Sequence, residues 1–245
     1  MIDYEVADRV AFIRLNRPEK LNALTNEGIT ELAVALRRFD HDESAAVAVL
    51  HGAGRAFSAG ADVKLRLATA AAAGPDAARL PSERAEILAC DNWKPLVAAV
   101  HGYAIGHAFG TAMLCDFVVA SEETTFQAPE AVIGAPGAPF WAQIASAAGA
   151  RFATDVILTG RRFSAAEARD FGLVTRVVPA GEHLNAATVL ARQVADHPQP
   201  ALRETVRYQR GLLSEALLRA TNVTGHFRWS ASGQFQDSVR ARGGS

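Results

Sequence analysis

Three short apolar runs constrain the fold more than any other feature of the sequence. They are AAVAVL at residues 45–50, LVAAV at 96–100 and FVVA at 117–120. Each run has the length of a strand and carries no polar residue, which is typical of strands buried on both faces of a parallel sheet. Helical patterns and short connections lie between them. This arrangement predicts an α/β fold with a parallel sheet and crossover helices.

The segments around these runs fit the same architecture. VAFIRL at residues 10–15 predicts a further strand, and residues 26–39 predict an amphipathic helix with Thr25 as its N-cap. An alanine-rich stretch at residues 66–80 is interrupted by Gly74-Pro75 and predicts a helix, a mobile turn and a second helix that continues through Cys90.

The last third of the chain changes from strands to helices. Ser164 and Glu167 form a capping box, which predicts a short helix. GLVTRVVP, ending at Pro179, predicts one more strand. From residue 182 onward only helical patterns occur, and such a region packs on the main body or on a neighbouring subunit. The polar end VRARGGS predicts a frayed terminus.

Composition and charge exclude several classes of protein. The chain has 245 residues and a net charge of −1, so neither nucleic acid nor an anionic membrane is an expected partner. No apolar run reaches the roughly 18 residues of a membrane span. The start, MIDYEVADRV, lacks a signal-peptide pattern, and the spacing of Cys90 and Cys115 matches no metal or redox motif. We therefore expect a cytoplasmic protein without a metal site.

Two glycine-bearing loops resemble each other. In both, a buried strand ends in a turn of small residues that opens a helix: AGAD at residues 59–62, and Gly106-His107-Ala108. If the two strands are neighbours, the backbone N–H groups of Ala61 and His107 can point at one position. Two convergent donors form an oxyanion hole, which stabilises negative charge on a carbonyl oxygen. The same pattern is also how α/β units are ordinarily built, so the loops alone leave both interpretations open.

Several longer motifs resemble the enoyl-CoA hydratase/isomerase, or crotonase, superfamily, in its order and spacing. This resemblance implies a spiral of ββα repeats at residues 1–181 and a C-terminal helical oligomerisation region at 182–245. It also implies trimers or pairs of trimers, and an acyl-CoA thioester as substrate. The motifs are RPEKLNAL (17–24), GRAFSAGADVK (54–64), PLVAAVHGYAIG (95–106), CDFVVASEETTFQAPE (115–130) and LTGRRFSAAEARDFGLVTRVVP (158–179).

The resemblance also assigns site residues. Ala61 and His107 match the two oxyanion-hole donors, and coenzyme A enters only as part of the thioester, so no separate cofactor is implied. Asp62 has a second interpretation, because its side chain can instead cap the following helix. The positions that match the family's coenzyme A segment are Lys20, Leu21, Ala23, Ala59, Asp62 and Val63.

One catalytic position departs from the family pattern. Typical hydratases of the superfamily carry a glutamate in the helix after the glycine turn and another about 20 residues later. The second matches Glu130, whereas the first matches Gly110. Hydration needs one group to activate water and one to deliver a proton, whereas moving a double bond needs a single base. The resemblance therefore implies that Glu130 is the only carboxylate acid or base.

The side chain of His107 stands where the family usually has glycine. Its backbone donor does not depend on the side chain, which can either enter the site as a second acid or base or turn away and fill space. His51 and His101 each follow a buried strand and are interpreted as structural. Phe140 and Trp141 could wall the acyl pocket, although an aromatic pair beside an apolar helix is more often part of the core.

Three functions remain open from the sequence. The first is an acyl-CoA isomerase, or a related enolate enzyme, that uses Glu130. The second is a hydratase that uses Glu130 alone or with His107, together with related C–C bond hydrolase or lyase chemistry. The third is an acyl-CoA-binding protein without turnover. The presence of Glu130, of AGAD and of the Gly106 turn favours an enzyme.

Overall fold

Strands form two sheets in the computed structural model, which describes residues 1–63, 65, 92–224 and 237. The strands are β1 (Ile2–Ala7), β2 (Val10–Leu15), β3 (Val47–Gly52), β4 (Leu96–Val100), β5 (Tyr103–Ile105), β6 (Phe117–Ser121), β7 (Thr125–Gln127), β8 (Arg162–Ser164) and β9 (Arg176–Val178). The larger sheet has the order β1-β2-β3-β4-β6-β9, and the smaller has the order β5-β7-β8. Within the larger sheet only the β1–β2 pair is antiparallel.

The helices of the described residues follow the strands in a repeating way. They are α1 (Asn26–His41), α2 (His107–Met113), α3 (Ala138–Ala148), α4 (Ala150–Thr159), α5 (Ala165–Asp170), α6 (His183–Ala195) and α7 (Gln199–Thr224). In one repeat, β4 joins the large sheet, β5 joins the small sheet and α2 follows. In the next repeat, β6 joins the large sheet, β7 joins the small sheet and α3 follows. This is the ββα spiral with a C-terminal helical region that the sequence predicts.

The two central strands are buried on both faces. In β3, Ala48 and Leu50 point into the core beneath α1, while Val47 and Val49 point into a second apolar layer. That second layer is covered by the apolar face of α6, including Leu190. Burial on both faces explains why these strands consist of continuous apolar runs without alternation.

Most of the predicted elements are confirmed, with small shifts at their ends. The predicted strand at residues 45–50 begins two residues later, at Val47. Thr25 Oγ1 accepts a hydrogen bond from the Gly28 backbone N–H at 3.0 Å and so caps α1 as predicted. Ser164 Oγ caps α5 in the same way, through the Glu167 N–H at 3.1 Å. The helices predicted at residues 66–90, Cys90 and the VRARGGS terminus lie outside the described residues.

The last helix packs on the body of its own chain. The helix α7 lies against α3, and Arg210 reaches across to the entry of the large sheet. Its guanidinium donates to Asp116 Oδ2 at 2.8 Å and to the Lys94 backbone oxygen at 3.1 Å. Both Arg210 and Asp116 are largely buried, so this ion pair fixes α7 beside the segments that lead into β4 and β6. None of the described helices combines the length and apolar character that a membrane span requires.

Three histidines lie together at the carboxyl ends of β3 and β4. The rings of His101 and His183 stack with centroids 4.3 Å apart, and His101 Nε2 lies 2.9 Å from the Gly54 oxygen. Burial, followed by the positive charge of Arg14, lowers the pKa of His51 to about 4, although a backbone hydrogen bond at Gly52 opposes the shift. Burial, followed by the His101 charge, also lowers the pKa of His183 to about 4.

Acid should therefore destabilise the fold over a defined range. Below a pH of about 6.5 the unfolded chain binds protons at His51 and His183, but the folded chain does not until about pH 4. The free energy of unfolding should fall as the pH is lowered from 6.5 to 4. Urea unfolding of His183→Gln should show a smaller loss across this range than the wild type, and an identical loss in both proteins would contradict the assignment.

Candidate functional site

The two glycine-bearing loops lie against each other. Ser58 pairs with Ala104, with Ser58 N–H donating to the Tyr103 oxygen at 2.9 Å. At Gly60 the approach is closer still, because a Cβ there would lie 2.4 Å from the Ile105 oxygen and 3.6 Å from the His107 nitrogen. Only glycine leaves room for this contact, and Gly60 also has a φ of +92°. The turns that carry Ala61 and His107 are therefore neighbours.

The direction of the Ala61 amide follows from the strand pairing on its other side. Leu24 forms a parallel bridge with Ala61, in which Leu24 N–H donates to the Gly60 oxygen and Asp62 N–H to the Leu24 oxygen, both at 2.8 Å. In such a bridge the central residue uses neither of its own backbone groups, so the Ala61 N–H points away from Leu24. The segment at residues 103–107 lies on that opposite side.

The His107 amide belongs to the first turn of α2. Backbone N–H groups in the first turn of a helix point out of its end and are not used by the helix itself. The first bond within this turn runs from Gly110 N–H to the Gly106 oxygen at 3.0 Å. The His107 side chain is buried at 9% exposure, and its backbone oxygen accepts a hydrogen bond from Thr111 Oγ1 at 2.9 Å.

Glu130 lies at the same glycine turn. It stands in the loop between β7 and α3, but its side chain is only 6% exposed, so it is not a surface carboxylate. Its Oε1 would lie 3.3 Å from a Cβ on Gly106, which puts the carboxyl group directly against the turn that precedes His107. The loop holds it there, because the Glu130 backbone oxygen accepts hydrogen bonds from Ile133 at 3.2 Å and Ala135 at 2.8 Å.

The space beside Gly110, where the family resemblance implies a glutamate in typical hydratases, is filled from α3. A Cβ on Gly110 would lie 2.4 Å from Phe140 Cε1 and 3.3 Å from Gln143 Oε1. The Gln143 amide also donates to the Gly110 oxygen at 3.2 Å. Phe140 is part of the core, as one interpretation of the sequence had it, but Trp141 is not: its indole N–H reaches Thr154 Oγ1 at 3.0 Å and its ring is exposed.

The predicted coenzyme A positions lie on two adjoining segments. The first begins at Lys20, the last residue of a short 3₁₀ helix (Pro18–Lys20), which Leu21 ends in the left-handed conformation with a φ of +49°. The Ala59 N–H donates to the Leu21 oxygen at 2.9 Å, which joins the two segments. Lys20 is exposed, whereas five positions are partly buried: Leu21, Ala23, Ala59, Asp62 and Val63.

Asn22 fastens these segments and was not identified from the sequence. It is fully buried in a left-handed conformation, and its Nδ2 donates to the oxygens of Ala53 and Ala56, both at 2.8 Å. Its Oδ1 accepts from the Arg17 N–H at 2.9 Å. An asparagine next to a left-handed residue is the signal that could have indicated this role, because asparagine tolerates that conformation.

Asp62 has both a helix-capping and an ion-pairing role. Its Oδ1 accepts a hydrogen bond from the Leu65 backbone N–H at 3.2 Å, as a capping residue would. Its Oδ2 pairs with Arg17 at 2.9 Å. Burial raises the pKa of the Asp62 carboxyl, but the hydrogen bonds from Arg17 and Leu65 outweigh burial and the pKa is lowered overall. Arg17, which also donates to the Ala23 oxygen at 3.1 Å, was missed by the sequence reasoning.

The part of the chain that the structure describes contains no group of three or more histidine, cysteine, aspartate or glutamate side chains able to hold a metal ion. The geometry instead brings together two adjacent backbone turns and one buried carboxylate. Such an arrangement can bind a carbonyl oxygen through N–H donors while a carboxylate moves a proton at a neighbouring carbon.

Comparison with known proteins gives a consistent result. The family model described as enoyl-CoA hydratase/isomerase matches residues 5–224. A probable enoyl-CoA hydratase of Rhizobium meliloti is 40% identical over 198 residues, covering 80% of this chain and 76% of that protein. The 2,3-dehydroadipyl-CoA hydratase of Escherichia coli is 36% identical over 220 residues, covering 86% of this chain and 85% of that protein.

Solved structures agree with these relatives. The enoyl-CoA hydratase/isomerase from Pseudoalteromonas atlantica superposes with a TM-score of 0.85 at 29% identity, covering 99% of this chain and 96% of that one. One from Xanthobacter autotrophicus gives 0.85 at 28% identity, covering 98% and 92%. The chain belongs to the enoyl-CoA hydratase/isomerase family.

Proposed function

We propose that this chain processes acyl-CoA thioesters through an enolate, with Glu130 as its single carboxylate acid or base. The backbone N–H groups of Ala61 and His107 hold the thioester oxygen. Coenzyme A is bound as part of the substrate, along the two segments that Asn22 joins, and no separate cofactor takes part. The favoured reaction is the shift of a double bond from the β,γ to the α,β position of an enoyl-CoA.

One observation carries this proposal. The buried Glu130 carboxyl lies against the Gly106 turn, while Gly110, in the first turn of the helix that follows, has no side chain and no room for one. A site with one carboxylate suits a reaction in which a single group removes and returns the same proton. Hydration, in contrast, works best with two groups.

The proposed step conserves atoms and charge. The Glu130 carboxylate takes a proton from the α-carbon, and the electrons of that C–H bond move toward the thioester carbonyl. The resulting dienolate carries its negative charge on the oxygen that faces the Ala61 and His107 donors. Glu130 then returns the proton to the γ-carbon, and the double bond lies between the α- and β-carbons. Water is neither consumed nor released.

Hydration of a 2-enoyl-CoA is the second candidate, because curated relatives at 36–40% identity are named hydratases. In that reaction Glu130 activates water either alone or together with His107. Related C–C bond cleavage and acyl-CoA binding without turnover remain the alternatives if neither reaction is observed. The cytoplasmic location stays a prediction.

Replacing the carboxylate should separate catalysis from binding. Glu130→Gln keeps the size and hydrogen bonding of the side chain but removes the base, so kcat on 3-enoyl-CoA should fall by about 10²–10⁴-fold with little change in substrate affinity. Glu43→Gln, at an exposed position before β3, makes the same chemical change outside the site and should leave kcat unchanged. Absorbance assays with 3-enoyl-CoA and 2-enoyl-CoA measure both reactions.

His107→Ala tests whether the imidazole is a second acid or base. The backbone donor survives this change, so we expect a much smaller loss of kcat than for Glu130→Gln. If Glu130→Gln keeps full activity while His107→Ala abolishes it, the histidine is the acid or base and the single-carboxylate proposal is wrong.

The oxyanion hole makes a geometric prediction. In a crystal structure with a bound acyl-CoA, the nitrogens of Ala61 and His107 should both lie about 2.7–3.2 Å from the thioester oxygen. Donors that face apart in the ligand-bound protein would rule out the enolate mechanism.

We also propose that residues 182–245 form the interface of a trimer or a pair of trimers. Tyr208, Leu212 and Val223 lie on one face of α7 and are exposed in the single chain, which supports an interface there. Multi-angle light scattering should give three or six times the chain mass of 26.0 kDa. A stable monomer would contradict the assembly.

A further inference from the structure

Phe140 occupies the place that a side chain at Gly110 would take. Gly106 is the N-cap of α2, with a φ of +54°, and Gly110 lies in the first turn, where its N–H donates to the Gly106 oxygen at 3.0 Å. A Cβ on Gly106 would meet the Glu130 carboxyl and a Cβ on Gly110 would meet Phe140 Cε1, at 3.3 and 2.4 Å. A side chain at Gly110, one turn from the glycine that Glu130 contacts, would therefore enter the volume that the aromatic ring now occupies.

The ring is held in place by its neighbours. Phe140 is 2% exposed, and its ring centroid lies 6.4 Å from that of Phe109, which precedes Gly110 in α2. Phe109 packs in turn against Phe126 at 6.0 Å and Phe163 at 5.7 Å. The Gln143 amide is the end of a flexible side chain and could move away from an added Cβ on Gly110. The Phe140 ring, 2.4 Å from that Cβ, is packed in this cluster and has little freedom to move.

We infer that Phe140 is a specificity-determining residue, an inference that rests on the proposed function. Its ring takes the volume that a side chain at Gly110 would need, so the packing excludes a second acid or base at that position. Gly110 and Phe140 are thus one steric unit. A carboxylate can be introduced at Gly110 only if Phe140 is also replaced by a smaller residue.

Stability tests the steric unit independently of any reaction. Gly110→Ala normally stabilises a helix, but here the added Cβ meets the ring, so Tm should fall. Phe140→Ala should also lower Tm, through the cavity that it leaves. The double variant should lose clearly less than the sum of the two single losses. Leu190→Ala is the control, because Leu190 is 5% exposed and lies in the second apolar layer, on α6, apart from the core that contains Phe140, so its loss should add to that of Gly110→Ala.

Activity tests the effect on specificity. Gly110→Glu alone should give no gain in hydration of 2-enoyl-CoA, because the carboxylate cannot enter beside Glu130. Gly110→Glu with Phe140→Ala should raise the ratio of hydration to isomerisation at least about tenfold over the wild type and over each single variant, as expected of a new acid or base.

Two results would overturn the inference: additive Tm losses for Gly110→Ala and Phe140→Ala, or equal gains in hydration with and without the Phe140 substitution. Failure of the proposed function looks different. Full activity in Glu130→Gln would remove the single-carboxylate mechanism and leave the coupling of the Tm losses intact.

Discussion

The close approach of two backbone segments at Gly60 is the contact on which the candidate site depends. Each segment alone is an ordinary strand-to-helix turn. They become one site because Gly60 lies against the Ile105 oxygen and because Ser58 pairs with Ala104 just before it. A side chain at Gly60 would separate the segments by the width of a methyl group and move Ala61 away from His107. Donors that stabilise an oxyanion act only if their spacing is fixed in advance, so this one contact determines whether the chemistry is available.

The segment that carries Ser58 and Gly60 is held on its other side, next to Asn22, by buried hydrogen bonds. The Ser58 hydroxyl donates to the Asn22 backbone oxygen at 2.8 Å and accepts from the Gly60 N–H at 3.1 Å. Asn22 itself bonds to three backbone oxygens through its amide, those of Ala53, Ala56 and Phe57. These groups are buried, and removal of either side chain would leave several of them without a partner, at a cost of about 1–3 kcal/mol each. The proposed coenzyme A segments and the proposed oxyanion donors therefore share one rigid support.

The sequence predicts those parts of this structure that depend on local patterns. The β4 strand was predicted with its observed ends, and the caps of α1 and α5 were predicted by residue, because apolar runs and capping residues act within a few positions. The three-residue strands of the small sheet were not predicted. Such a strand is too short to show a period, and β7 pairs with β5 and β8, which lie far from it in sequence. Glu130 was identified because the family motif covers it, but its burial against Gly106 is a tertiary contact that no local pattern carries.

At Gly110 and Phe140, the absence of one side chain and the presence of another belong to the same packing. A carboxylate removed from a packed site would leave a cavity, and cavities destabilise a core in proportion to their volume. Here the ring of Phe140, from a helix 30 residues away in sequence, fills the volume that a side chain at Gly110 would need. The same packing obstructs any larger side chain at Gly110. Under the proposed single-carboxylate mechanism, reaction type depends on Gly110 and Phe140 together, and neither residue reveals it when considered separately.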